Sequence, residues 1–196
     1  PAAGAQGEFS GVKMIAACLR DKGEIQRKVM LIPDSAHGTN PASSVMSGFE
    51  CQSVRTTERG NIDLEDLKEK CNDQLAGIMI TNPNTLGLFD ENIVEAIEIV
   101  HQAGGLVYGD GANMNALLGI VKPAELGFDV MHFNLHKTFA TPHGGGGPGA
   151  GAVCCNEKLS AYLPGPVADV LEPATDELPP LYGYRIPEKT IGMVRA

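Results

Sequence analysis

An α/β fold built on a mostly parallel sheet is what this chain predicts, on two observations: short apolar runs alternate with helical patterns, and most of those runs are almost unbroken by polar residues. An unbroken run suits a strand covered on both faces, so the sheet is expected as the middle of three layers. In chain order, Val12, Ile15, Ala16 and Leu19 fall at i, i+3, i+4 and i+7 and predict a first helix with one face on the sheet. Strands are expected at Val29–Ile32, Cys51–Val54, Ala76–Ile80, Gly105–Tyr108, Val130–Phe133 and Ala150–Cys154. After the first strand, Pro41 suits the first position of a short helix. Asp63, followed by Glu65 and Asp66, predicts a capped polar helix ending near Asn72, since acids in a first turn favour the helix dipole. Ile93, Ala96, Ile97 and Val100 repeat the helical spacing. Residues 1–162 read as one core, and residues 163–196 as a Pro/Gly-rich excursion toward a segment outside this sequence.

With 196 residues and a hydrophobic fraction of 43%, the chain is long enough for one substantial core. A formal charge of -9 and the lack of any Lys/Arg cluster argue against nucleic-acid binding. No apolar run approaches membrane-spanning length, so no membrane is expected, and the compartment is read as cytoplasmic. The 5 cysteines include no C-x-x-C, which points to plain thiols rather than disulfides or zinc. The Cys154-Cys155 pair would face opposite ways in a strand. The chain starts at Pro1 without a methionine and stops at Ala196 after a Pro-rich stretch, and is read as a fragment.

Two strand ends carry the chemistry. Val107-Tyr108-Gly109-Asp110-Gly111-Ala112 places a carboxylate at the tip of a buried strand, where it is costly unless paired. Asn134-Leu135-His136-Lys137-Thr138-Phe139 places a lysine after another strand, ahead of the glycine loop 144–147. An acid that keeps a pyridine nitrogen protonated, together with an amine that forms a Schiff base, is the pair needed to hold pyridoxal phosphate. Plainer readings stand beside this one: Asp110 as a cap for the turn that follows, and Lys137 as a surface lysine.

Other loops are compatible with the same ligand. Ala3-Gly4-Ala5-Gln6-Gly7-Glu8 opens the first helix and can cradle an anion, or can be ordinary glycine punctuation. His37, in Ser35-Ala36-His37-Gly38-Thr39-Asn40-Pro41, can lie flat on a cofactor ring with Thr39 or Asn40 adding hydrogen bonds, while a structural cap made by Thr39 and Asn40 explains the same residues. Asn82 can donate to a phenolic oxygen, although Asn82-Pro83-Asn84 is also a good turn. His132 and His136 have the spacing of helical zinc ligands but begin on a strand, so no metal is expected.

Taken together, residues 3–8, 36–43, 110–116 and 134–149 resemble the pyridoxal-phosphate-dependent glycine decarboxylase (P-protein) family of the glycine cleavage system. Thr81-Asn82-Pro83-Asn84-Thr85-Leu86-Gly87 resembles subunit 2 of its two-subunit bacterial form. The resemblance implies the large domain of a fold type I enzyme, with a C-terminal small domain beyond this chain. It implies pyridoxal 5'-phosphate as cofactor, Lys137 as the lysine linked to it, Asp110 as the partner of the ring nitrogen and His37 as the stacking residue. Gly4, Ala5 and Gln6 would lie near the phosphate, with Ala112, Asn82 and His136 also on the cofactor. The implied reaction takes carbon dioxide from glycine and passes the aminomethyl group to the lipoyl arm of the H-protein, with subunit 1 as partner. One departure is Met193 in Ile191-Gly192-Met193-Val194, where the family usually has arginine. Two rival readings remain: another fold type I lyase or aminotransferase, and a fragment that only mediates assembly.

Overall fold

The computed structural model describes residues 1–146, 149–173, 175 and 178–192. In chain order the elements are α1 Gly4–Asp21, β1 Val29–Pro33, α2 Thr39–Met46, β2 Glu50–Val54, α3 Leu64–Lys70, β3 Leu75–Thr81, α4 Ile93–Gln102 and β4 Leu106–Gly111. There follow α5 Pro123–Leu126, β5 Val130–Asn134, α6 Leu135–Thr138, β6 Gly151–Cys155, α7 Glu157–Ser160, β7 Val167–Glu172 and β8 Leu181–Arg185.

The first six strands form one sheet in the order β2-β1-β3-β4-β5-β6. All neighbours are parallel except β5 and β6. Each predicted strand is present, and for the inner strands the reason is burial on both faces: β3 is buried from Leu75 to Ile80, and β4 along its whole length, whereas the edge strand β2 is exposed except at Val54 and is held by its pairing with β1. One core joins α1 and α7 to the sheet through Val12, Ile15, Leu19, Met30, Tyr108 and Leu159. The other joins α3 and α4 through Leu67, Ile93, Ile97, Ile78 and Val107. These two cores make the three layers.

Local chemistry fixes the start of α3. The Asp63 side chain accepts from the N–H groups of Glu65 and Asp66 and starts α3 where the acids predicted it. Helix α2 begins at Thr39 rather than Pro41, and no side chain caps it. Thr39 turns instead to His37, and Asn40 to Asp110. Within residues 163–196 the structure shows an antiparallel hairpin of β7 and β8, which sequence patterning did not predict. Met193 lies outside the described residues.

Helix α1 lies unusually close to the sheet. A Cβ on Gly7 would stand 2.7 Å from the Gly151 carbonyl oxygen, and one on Gly11 would stand 2.6 Å from the Tyr108 ring. One on Gly4 would overlap the Asn134 side chain. The three glycines share one helix face, so main chain meets β4, β5 and β6 with nothing between.

Candidate active site

The parallel strands β1, β3, β4 and β5 point their carboxyl ends to one side, and the order reverses direction between β1 and β3. Ligands of such sheets bind beyond those ends at the reversal. A cavity of about 470 Å³ opens there, within the size range of cofactor sites. Gly4, Ala5, His37, Asn82, Asp110, Ala112 and Lys137 all line it. Gln6 and His136 do not. Gln6 is exposed, and its Oε1 accepts from the Ala2 N–H at 3.0 Å. His136 faces the glycine loop: its Nδ1 accepts from the Ala150 N–H at 3.2 Å, and its ring stacks on His143 at 4.3 Å.

Asp110 is 7% exposed. Its Oδ1 accepts from the Ala112 N–H at 3.0 Å and its Oδ2 from Asn40 Nδ2 at 3.2 Å. The carboxylate therefore caps the turn after β4 and also faces the cavity. Next to it on β5, in register, is His132, with Nε2 3.8 Å from Asp110 Oδ1. Burial holds His132 below its ordinary pKa, against the opposite pull of Asp110 and with the help of Lys137. Tyr108 is fully buried and its hydroxyl meets His132 Nδ1. Burial raises the phenol far above its usual range, with Glu8 and Asp110 adding to the effect, so Tyr108 keeps its proton and donates it to the neutral imidazole. The remaining imidazole proton is then on Nε2, toward Asp110.

His37 is held at both ends of a small turn. Its Nδ1 accepts from the Thr39 N–H at 3.1 Å and lies 2.7 Å from Thr39 Oγ1. Lys137 is exposed at the cavity wall in α6, directly after β5, and the next residue is fixed by the Met114 N–H donating to Thr138 Oγ1 at 3.0 Å.

Several buried polar atoms of this cavity have no protein partner: Thr81 Oγ1, Asn82 Nδ2, Asn134 Oδ1 and Glu8 Oε1. The Asp90 N–H donates to Asn82 Oδ1 at 2.9 Å, which sets the amide so that Nδ2 is the atom left over. Buried polar groups are normally paired, so these orphans mark where a polar ligand belongs. The donor set fits pyridoxal phosphate. There is an acid for the ring nitrogen, an amine for the aldehyde and an amide donor for the phenolic oxygen. The 18-residue α1 ends at the cavity with no side chain capping its first N–H groups, which suits a phosphate.

Glu8, Tyr108, His132 and Asn134 were not assigned to the site from sequence. For Asp110 and His132 the signal is the register of two parallel strands. For Glu8 it is the helix face it shares with Gly4, one turn away.

A family model described as aminotransferase class-V matches residues 6–165. A "probable glycine dehydrogenase (decarboxylating) subunit 2" of Pyrococcus furiosus is 54% identical over 197 residues, covering 100% of this chain and 38% of its own length. The protein of the same name in Legionella pneumophila (strain Corby) is 60% identical over 167 residues, covering 85% of this chain and 34% of its own length. The chain thus spans little more than a third of the curated relatives it matches. Among solved structures, a glycine decarboxylase (P-protein) of the glycine cleavage system in inhibitor-bound form superposes with a TM-score of 0.71 at 21% identity, over 94% of this chain and 39% of that one. A sphingosine-1-phosphate lyase of Burkholderia pseudomallei gives 0.67 at 15% identity, over 95% and 44%. At these identities the structural likeness is one of fold.

Proposed function

Because the chain belongs to the pyridoxal-phosphate-dependent aminotransferase class-V family and has the fold type I architecture, we propose that it is the cofactor-binding core of a glycine decarboxylase, as subunit 2 of the two-subunit form. In this reading glycine loses its carboxylate as carbon dioxide, and its aminomethyl group passes to the lipoyl arm of the H-protein. Subunit 1 completes the assembly, in the cytoplasm. The names of the relatives support the substrate and the partner subunit.

The observation that carries the reading is that Asp110 and Lys137, from the ends of neighbouring strands, line one cavity that also receives the start of α1. Asp110 would face the ring nitrogen and keep it protonated, and Lys137 would hold the aldehyde carbon. Asn82 Nδ2 would donate to the phenolic oxygen, His37 would lie on the ring face, and the amides at Gly4 and Ala5 would take the phosphate. When bound, the cofactor supplies a ring that accepts the electron pair released as a carboxylate leaves. His132, neutral and backed by Tyr108, turns its Nε2 toward Asp110 at 3.8 Å.

The test uses the full-length protein with its partner subunit. Borohydride reduction in the presence of pyridoxal phosphate should leave a mass-spectrometric adduct on Lys137, and none in Lys137→Ala. Carboxyl-labelled glycine with lipoylated carrier should release labelled carbon dioxide. No adduct would overturn the cofactor assignment, and an adduct without labelled gas would overturn the substrate.

A further inference from the structure

Glu8 lines the cavity, yet the chemistry above gives it no task. It is 2% exposed, and none of the described residues forms an ion pair with it. Its Oε1 is sealed from water without a partner. A carboxylate placed this way has no solvent and no ion-pair partner among the described residues to stabilise its charge. The groups that face it come from three directions. The Thr39 and Ser43 hydroxyls approach from α2, and His37 from the loop before it. Asp110 and Tyr108 approach from β4. His132 and Lys137 share the same cavity. Burial pushes the Glu8 carboxyl above its ordinary range, and the negative Asp110 adds to this, against the pull of the Ser43 and Thr39 hydroxyls and of His37.

The direction of the hydrogen bonds gives an independent reason. His37 Nδ1 receives the Thr39 N–H, so it carries no proton itself. The 2.7 Å contact between Nδ1 and Thr39 Oγ1 therefore takes its hydrogen from the threonine hydroxyl. With that hydrogen committed to His37, Thr39 Oγ1 offers only lone pairs to Glu8. An ionised Glu8 would set lone pairs against lone pairs, whereas a protonated one donates and completes the chain.

We propose that Glu8 is a positioning residue, held as a neutral carboxylic acid, whose O–H donates to Thr39 and so fixes His37 as an uncharged ring with its proton on Nε2. A neutral ring can lie against a cationic pyridine, and Asp110 remains the single anion beneath it. This inference rests on the proposed cofactor site for its purpose, but its test needs no cofactor.

In the full-length protein with its partner subunit, the infrared difference spectrum of wild type minus Glu8→Gln at neutral pH should show the carbonyl stretch of a protonated carboxyl. Finding the carboxylate stretch instead would overturn the proposal. Selective 15N-histidine NMR should show His37 as the neutral Nε2–H tautomer in the wild type and in Glu8→Gln, whose amide also donates. In Glu8→Leu the Nε2–H tautomer should be lost. An unchanged tautomer in Glu8→Leu would also overturn it. If Glu8→Leu does not fold, the infrared comparison decides alone. A missing Lys137 adduct counts against the proposed function only, and an ionised Glu8 against this inference only.

Discussion

Asp110 and Asp129 are both buried acids beside the β4–β5 pair, at opposite ends of it, and they are held in different ways. Asp129 is 0% exposed and its carboxylate is surrounded by protein donors: the Val107 N–H at 2.8 Å, His101 Nε2 at 2.8 Å, Asn156 Nδ2 at 2.7 Å and Lys158 Nζ at 3.2 Å. Burial pushes its pKa up, but the backbone N–H, His101 and Asn156 outweigh that and the net shift is downward. Asp110 has Asn40 and the Ala112 N–H, no lysine or arginine ion pair among the described residues, and a cavity in front of it. An acid whose bonding is complete ties the fold together. One whose bonding is left open on the cavity side awaits a ligand.

The comparison is broken most severely if the two acids can exchange roles. Asp110→Asn in the full-length enzyme should lower kcat by about three orders of magnitude, since losing one member of a buried charge pair costs about 3–5 kcal/mol. Urea unfolding of the same variant should move by less than about 1 kcal/mol. Asp129→Ala should do the reverse, lowering the unfolding free energy by about 3 kcal/mol in urea titrations, because it strands His101, Asn156 and the Val107 N–H.

Acid pH sharpens the distinction. The folded pKa of Asp129 lies below its unfolded value of 3.8, so its contribution is present above that value and is lost as pH falls through the lowered one. Asp129→Asn should flatten that acid limb in thermal melts. Glu8 has the opposite sign. Its folded pKa is raised above 4.5, so the fold is penalised increasingly as pH rises past that value. Glu8→Gln should therefore gain in melting temperature relative to wild type between pH 5 and 8, and lose that advantage in acid. The smallest effect is expected for His101→Gln, about 1 kcal/mol, because His101 is partly exposed.

The inner strands β1, β3, β4 and β5 were legible in the sequence because a strand buried on both faces leaves an apolar run that needs no partner to be seen. The β7–β8 hairpin left no such run: Leu181, Tyr182 and Tyr184 are exposed, so no alternation marks a buried face. Asp110, Lys137 and His37 each stand where a strand ends, which is why the sequence could group them, and all three line one cavity. Gln6 and His136 were assigned with their neighbours, but a helical turn of about 100° per residue swings each away from the cavity that Ala5 and Lys137 face. Glu8 and His132 depend on how α1 seats on the sheet and on strand register, which are long-range facts.

Gly4, Gly7 and Gly11 let the backbone of α1 rest directly on β4, β5 and β6. Side chains there would act as adjustable padding. Without them, the gap between an anion at the helix tip and the acid at the end of β4 is a fixed gauge. A homologue of pyridoxal phosphate lengthened by one carbon between ring and phosphate would be too long to fit within it, so three bare α-carbons would decide which vitamin derivative the protein accepts.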